Sequence, residues 1–236
     1  MTDHAPVQPH GSIEEIVDDV FWVQGSAQLA PGLRLMRNMA IVRNGEDLTV
    51  VSPVRLSPAG EAQLEQLGTV RHVVKIGFAH GIDDAYYLER FDATYWALPN
   101  GTRPQDPTPE NELRPDSLPI NDAELFEFHD TVQKEGALLI QRAGGILITC
   151  DAVQHWSNTK GCSPPARLVS HLIGFRRRPA QIGPPWRKRM TPKGGSLKSD
   201  FERLAALDFS HLIGAHGQPL RDTAKQDLIA TVEATY

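Results

Sequence analysis

The chain has 236 residues, 40% hydrophobic and 22% charged, with a formal net charge of −5 at neutral pH. That size and balance fit one globular domain and exclude a disordered, collagen-like or coiled-coil chain. No apolar run approaches the roughly 20 residues of a membrane span. Residues 1–11 hold no apolar signal-peptide core, and two cysteines, Cys150 and Cys162, imply no disulfide framework, so a cytoplasmic protein is expected.

Residues 1–14 are mostly polar and are expected to be flexible. Val20-Phe21-Trp22-Val23 reads as the first strand. Met39–Val42 and Leu48–Val51 flank Asn44-Gly45, a hairpin signal. Ser57-Pro58 opens a short helix with Leu64 and Leu67 on one face, and Gly68 stops it. His72–Ile76 is a short apolar strand; a helix over Asp83–Phe91 and a strand over Thr94–Leu98 follow. The Pro-rich stretch 99–120 reads as irregular. Glu124–Phe128, Ala137–Gln141 and Ile146–Cys150 are strands by alternation or apolar content. Residues 157–198 read as a basic, irregular insertion with one helix near Ala166–Gly174. Ser199-x-x-Glu202 matches a capping box, His211–Gly214 is a last strand, and a helix over Asp222–Thr235 closes the chain. Strands and helices mixed along both halves predict α/β layers, with sheets packed between helices.

The charge is unevenly spread. Residues 1–151 carry 11 Lys/Arg against 23 Asp/Glu, residues 152–199 carry ten against none, and residues 200–236 carry three against six. The basic block contains Arg176-Arg177-Arg178 and Trp186-Arg187-Lys188-Arg189. It predicts a lid that attracts a small anionic molecule, or else a solvated loop that offsets the acidic body; the overall negative charge argues against nucleic acid.

Three motifs follow directly on strands: Ala79-His80-Gly81-Ile82-Asp83-Asp84, Thr149-Cys150-Asp151-Ala152 and Gly214-Ala215-His216-Gly217. Imidazoles and carboxylates converging from strand ends suit a borderline-soft divalent metal. Each motif alone also has a plain structural reading. Asp84 offsets a helix dipole, Asp151 caps a turn, and His216 is a hydrogen-bonded turn residue. There is no Gly-x-Ser-x-Gly elbow and no phosphate-binding Gly-Lys-Ser/Thr run.

In order and spacing these motifs resemble the metallo-β-lactamase fold family, over about residues 15–236. The resemblance implies a single domain, a four-layer αββα sandwich of two mixed sheets with helices outside. The family's His-x-His-x-Asp-His aligns with His80 and Asp84, with Ile82 and Ala85 in place of two histidines. Leu147–Ala152 is similar to the strand ending in Thr-Gly-Asp-Ala, which puts Asp151 on the bridging carboxylate. Gly214–Pro219 is similar to the closing Gly-His-Gly-x-Pro, and Gln133 stands where a further His is usual. In a second register His80 takes the second His and Asp83 the last.

The resemblance thus implies a reduced site: His80, Asp84, Asp151 and His216 as ligands, with His155, Asp83 and His129 as further candidates. It holds at most one divalent ion (zinc, iron or manganese) per chain, down to none. Two functional readings follow. One is a metal-dependent hydrolase of an ester, thioester, amide or phosphoester, with Asp84 or Asp151 orienting the water and Arg176–Arg178, Trp186 and Arg187 holding the substrate. The other is a non-catalytic member of the fold that keeps a structural or ligand-binding remnant.

Overall fold

The computed structural model describes residues 4–175 and 178–236. The first half builds a seven-stranded sheet from β1 (Glu14–Val17), β2 (Val20–Ala30), β3 (Leu33–Asn44), β4 (Asp47–Val51), β5 (Thr69–Lys75), β6 (Thr94–Ala97) and β7 (Asn111–Glu112), in that spatial order. Strands β1 to β4 are antiparallel neighbours. From β4 onward the pairs are parallel, because α1 (Pro58–Leu67) and α2 (Asp84–Phe91) are the crossovers that return the chain to the same end. The second sheet has the order β13 (His211–Gly214), β10 (Ile146–Thr149), β9 (Gly136–Ile140), β8 (Ala123–Glu127), with one parallel pair, β10 and β13. A two-stranded ribbon of β11 (Val153–Gln154) and β12 (Gln181–Ile182) lies beyond it. Helices α3 (Pro164–Leu172), α4 (Pro184–Met190), α5 (Lys198–Ala206) and α6 (Ala224–Glu233) complete the chain.

The period of two along each strand decides the layers. Val20, Trp22, Ala40, Val42, Val51 and Val74 face Leu138, Ile140, Ile146, Ile148 and Ile213 of the other sheet. Their alternates Phe21, Val23, Met39, Ile41, Val50 and Val73 face outward, onto Leu64 of α1 and Tyr87 of α2. Leu139, Leu147 and Leu212 take the opposite outer face, against Phe201 and Leu204 of α5 and Leu228 and Val232 of α6. The result is helices, sheet, sheet, helices. Helix α1 starts as its sequence dictates, with Ser57 Oγ accepting from Gly60 N (3.3 Å) and Pro58 in the first turn. Among the described residues no helix is long and apolar enough to cross a membrane.

Four expectations are corrected. The 157–198 stretch is not irregular: α3, β12 and α4 lie within it, and Trp156, Cys162, Ala166 and Phe175 bury Met36 of β3 in a small core of their own. The Ser199 capping box does not form. Helix α5 starts two residues earlier, with Leu197 as its N-cap, and the Ser199 hydroxyl instead donates to Asp130 Oδ2 (2.8 Å). Residues 4–11 are tied down, with His4 on Glu89, Ser57 N donating to His10 Nε2, and Gly11 N donating to Gln24 O. The strand read as first at Val20–Val23 is the second, β2, and runs for 11 residues after the short β1; β2 and β3 form a hairpin whose tip lies at Pro31-Gly32.

Candidate metal centre

Parallel pairing of β10 and β13 is in register, with Thr149 opposite Gly214. Each strand therefore releases its chain at the same level, and Asp151 and His216 emerge two residues later side by side. Asn38 of β3 locks the second exit, donating from Nδ2 to Gly214 O (2.8 Å) and Gly217 O (2.9 Å). His80 arrives from the first sheet, in the loop between β5 and α2. Its Nε2 lies 3.4 Å from Asp151 Oδ1, and His216 Nε2 lies 3.1 Å from the same oxygen. The two imidazole rings are 5.1 Å apart in an edge-on arrangement.

The His216 tautomer follows from its other partner. Nδ1 is 2.6 Å from Met36 O, an acceptor only, so Nδ1 carries the proton. A neutral His216 then aims a lone pair at a carboxylate oxygen, which is repulsive unless a cation or a second proton lies between them. Gln154 adds to the same carboxylate: its Nε2 is 3.2 Å from Asp151 Oδ1, while Trp156 Nε1 donates to Gln154 Oε1 (2.8 Å) and fixes the amide's orientation.

Cys150 and Glu135 sit behind. Cys150 Sγ, an Asp151 carboxylate oxygen and a His80 ring nitrogen lie within 4.8 Å of one another. Glu135 Oε1 accepts from Asp151 N (3.1 Å). Gly77 makes room for both: a Cβ there would collide with Cys150 Sγ and stand 2.8 Å from Glu135 Oε2.

Electrostatics separates these groups. Burial alone would raise the Asp151 carboxyl, but His80 and His216 outweigh it and hold it well below the usual carboxylate range. Burial holds His80 below its ordinary value against the opposing pull of Asp151. Glu135 is pushed well up by burial and then by the Asp151 charge. Cys150 is pushed well up by burial, then by Glu135 and Asp151, so its thiol is no activated nucleophile.

Several expected residues stand elsewhere. Asp84 is buried away from the cluster; its Oδ2 accepts from the Tyr95 hydroxyl (2.7 Å), among Lys75, Asp106 and Arg103. Asp83 Oδ2 accepts from Arg55 N (2.8 Å) and pairs with Arg37 (3.4 Å). Neither register of the motif therefore supplies a second carboxylate, because the first turn of α2 points both side chains into the first sheet's own packing. His129 is exposed beside α5, where its N–H donates to Asp200. His155 pairs by backbone with Gly217, and its half-buried ring stands near Asp227. Gln133 is half-buried and does not line the cleft; two residues on, Glu135 reaches the cluster instead.

Of the basic block, Trp186 is buried and, with Arg189, lines a cleft of about 440 Å³ at the cluster. Arg187 is exposed outside that lining, and Arg178 donates to Ala230 O on α6 (3.3 Å). Arg176 and Arg177 lie outside the described residues. The other cation in the lining is Arg37, buried, with its Nε unpartnered. Residue patterns gave no sign of Arg37 or Gln154, since each acts through a partner far away in the chain or through a side-chain amide that no motif marks.

Neither a family model nor a curated protein sequence matches the chain. Solved structures do. A metallo-β-lactamase from Erythrobacter litoralis aligns over 94% of this chain and 92% of its own, at 12% identity and TM-score 0.57. DIM-1 metallo-β-lactamase aligns over 98% and 99%, at 9% identity and TM-score 0.68. FIM-1 from Pseudomonas aeruginosa, solved in a mono-zinc form, aligns over 98% and 96%, at 14% identity and TM-score 0.62. The chain has the metallo-β-lactamase fold. Within that fold the His80–Asp151–His216 cluster occupies the strand-end face where its loops converge.

The donor atoms that all lie within 4.8 Å of one another, as ligands of one divalent ion must, are those of His80, Cys150 and Asp151, and His216 Nε2 reaches the same Asp151 oxygen (3.1 Å) without belonging to that group. Two ligands bound at about 2.0–2.1 Å with tetrahedral angles stand about 3.3–3.4 Å apart, and the two imidazole nitrogens stand 3.1 and 3.4 Å from Asp151 Oδ1. A second ion of the metallo-β-lactamase kind does not fit, because Ile82 has no donor, Ala85 has none, and Asp84 is committed to Tyr95.

Proposed function

We propose that the chain is a metal-dependent hydrolase with a mononuclear site held by His80, Asp151 and His216, with Cys150 Sγ in reach. The observation that carries this is the His216 tautomer: Nδ1–H is spent on Met36 O, leaving the Nε2 lone pair 3.1 Å from an ionised carboxylate. FIM-1, in its mono-zinc form, is an example of this fold holding one ion. A bound divalent cation supplies Lewis-acid polarisation of a carbonyl or phosphoryl oxygen and makes water more acidic.

The chain's own groups do the rest. Gln154 Nε2 steadies the Asp151 carboxylate, and Trp156 steadies Gln154. Asp151 is the carboxylate placed to accept the proton of the attacking water. Arg37, which lines the cleft and pairs its terminal nitrogen with Asp83, has an unpartnered Nε–H to offer negative charge that grows on the substrate. The cleft walls are mostly apolar, and a low-dielectric surrounding strengthens each of these interactions. An ester, thioester, amide or phosphoester fits this chemistry.

A second reading rests on the same contact. A second proton on His216 also relieves it, giving an imidazolium–carboxylate pair and a ligand-binding protein without catalysis. Elemental analysis of untagged protein after extensive dialysis separates the two. About one equivalent of metal, absent from D151A, supports the hydrolase. No metal, with a melting temperature indifferent to chelator, supports the ion pair. Two tightly held equivalents overturn the mononuclear site.

A further inference from the structure

The cleft has an uneven character. Its polar end is the His80–Asp151–His216 cluster. Its rim is apolar and exposed: Leu29 at 55%, Ile82 at 47%, Val169 at 46% and Ile173 at 43% relative exposure all line it. These come from three separate places, the β2–β3 hairpin, the loop before α2, and α3 with the residue that follows it. Single exposed apolar side chains are ordinary, but four around one opening are not. Phe175 and Trp156, stacked at 4.4 Å between ring centres, carry the apolar wall inward toward His216. Among the described lining residues the fixed charges are Asp151, Arg37 and Arg189. Beyond Asp151 the lining carries no acid; of its two arginines Arg189 is exposed, and Arg37, whose terminal nitrogen pairs with Asp83 and Pro53 O, keeps its Nε–H unpartnered.

We propose that this cleft takes a single-chain anionic amphiphile: an acyl ester or thioester whose hydrocarbon chain lies along Leu29, Val169 and Ile173 and whose negative group faces Arg37 and Arg189. The proposal rests on the hydrolase reading only for the fate of the bound molecule. The occupant is one molecule rather than a lipid surface. The apolar rim runs continuously into a concave slot that ends at the polar cluster, and Arg37 is buried where no headgroup plane reaches it. Helix α3 also carries Leu168 and Leu172, exposed at 61% and 70% but outside the lining, which gives the test its control.

The experiment is calorimetric or tryptophan-fluorescence titration of the full chain with hexanoate, octanoate and decanoate below their micelle concentrations. Kd is expected to fall about fourfold per added methylene, as burial of each CH₂ requires. V169D and I173D, both at exposed positions that tolerate a charge, are expected to weaken decanoate more than tenfold, and L29D likewise from the hairpin. L172D is expected to stay within twofold of the parent. A Kd independent of chain length overturns the proposal. So does loss of binding in L172D but not V169D together with sedimentation on phosphatidylglycerol vesicles, which identifies a membrane-facing helix. A dimer dissociated by V169D, with no alkanoate bound, assigns the rim to a second copy and also overturns it. Chain-length-dependent binding without turnover of octanoyl esters refutes the hydrolase reading and leaves this one intact. Turnover of acetyl esters with no gain for octanoyl does the reverse.

Discussion

Two aspartates stand at the ends of neighbouring sheets, and their surroundings make them opposites. Asp151 faces two imidazoles and an amide, and its charge is favoured strongly enough to overcome burial. Asp84 is sealed against Tyr95, with Lys75 and Arg37 near but its Oδ1 without a hydrogen-bond partner, and burial wins: its carboxyl is held above the ordinary value. Desolvation acts on both. What differs is how many groups sit on the carboxylate: two imidazoles and an amide converge on Asp151 Oδ1, whereas Asp84 has the single Tyr95 hydroxyl on Oδ2. One aspartate can hold an ion, and the other holds the first sheet's own packing together.

The contrast is broken most directly by deletion. D151A is expected to lose more than 100-fold in zinc affinity, beyond the range typical of outer partners, while D84A keeps the parent metal content; equilibrium dialysis with elemental analysis checks both. D84A is instead expected to lose about 3 kcal/mol of stability in urea unfolding, since it strands the Tyr95 hydroxyl and removes a charge near Lys75. Equal metal loss in the two variants would mean that Asp84 swings into the site. Q154A, which frees the Asp151 carboxylate without removing a ligand, is expected to weaken zinc by about 10–100-fold.

The two aspartates should also bend the pH–stability curve in opposite senses. Asp84 is raised in the folded state, so above about pH 4, the ordinary aspartate value, the folded chain binds the extra proton and stability falls as pH rises toward the folded value. D84N removes that fall. Asp151 is depressed, so its contribution is complete above about pH 4 and is lost as pH drops through the folded value; D151N therefore trails the parent at neutral pH and closes the gap in acid. Urea midpoints across pH 2.5–7 in chelator measure both slopes, and slopes of the same sign would refute the assignment. The smallest effect expected is that of Y95F, about 1 kcal/mol from one buried hydrogen bond.

The sequence carried the layers well because strand alternation and the Ser57-Pro58 and Asn44-Gly45 signals are local. It carried three of the cluster residues, His80, Asp151 and His216, because strand ends can be read from where apolar runs stop. It misplaced Asp84, since adjacent residues at a helix start differ by about 100° in direction, and a spacing pattern cannot say which of them faces the cleft. It missed Arg37 and Gln154 because their roles arise from contacts across the sheets. The charge-rich segment led to a basic lid, whereas the side chains that reach the cleft from it are chiefly apolar, with Arg189; among its other described cations Arg167 donates to Cys162 O, Arg178 to Ala230 O, Lys198 pairs with Glu202, and Arg187 and Lys188 are exposed.

The register between β10 and β13 has a consequence for how such a protein changes over time. The gap between positions 151 and 216 is set by main-chain pairing and by Asn38, and by Gly217, where a Cβ would collide with His155 O and force the strand end apart. Side chains at 151 and 216 do not create that gap; they inherit it. The pair of positions is thus a socket of fixed width, in which one donor can be exchanged for another by a single codon change without moving the frame. A lineage can lose one ion, retain another, or trade metal for a proton, and the scaffold registers none of it.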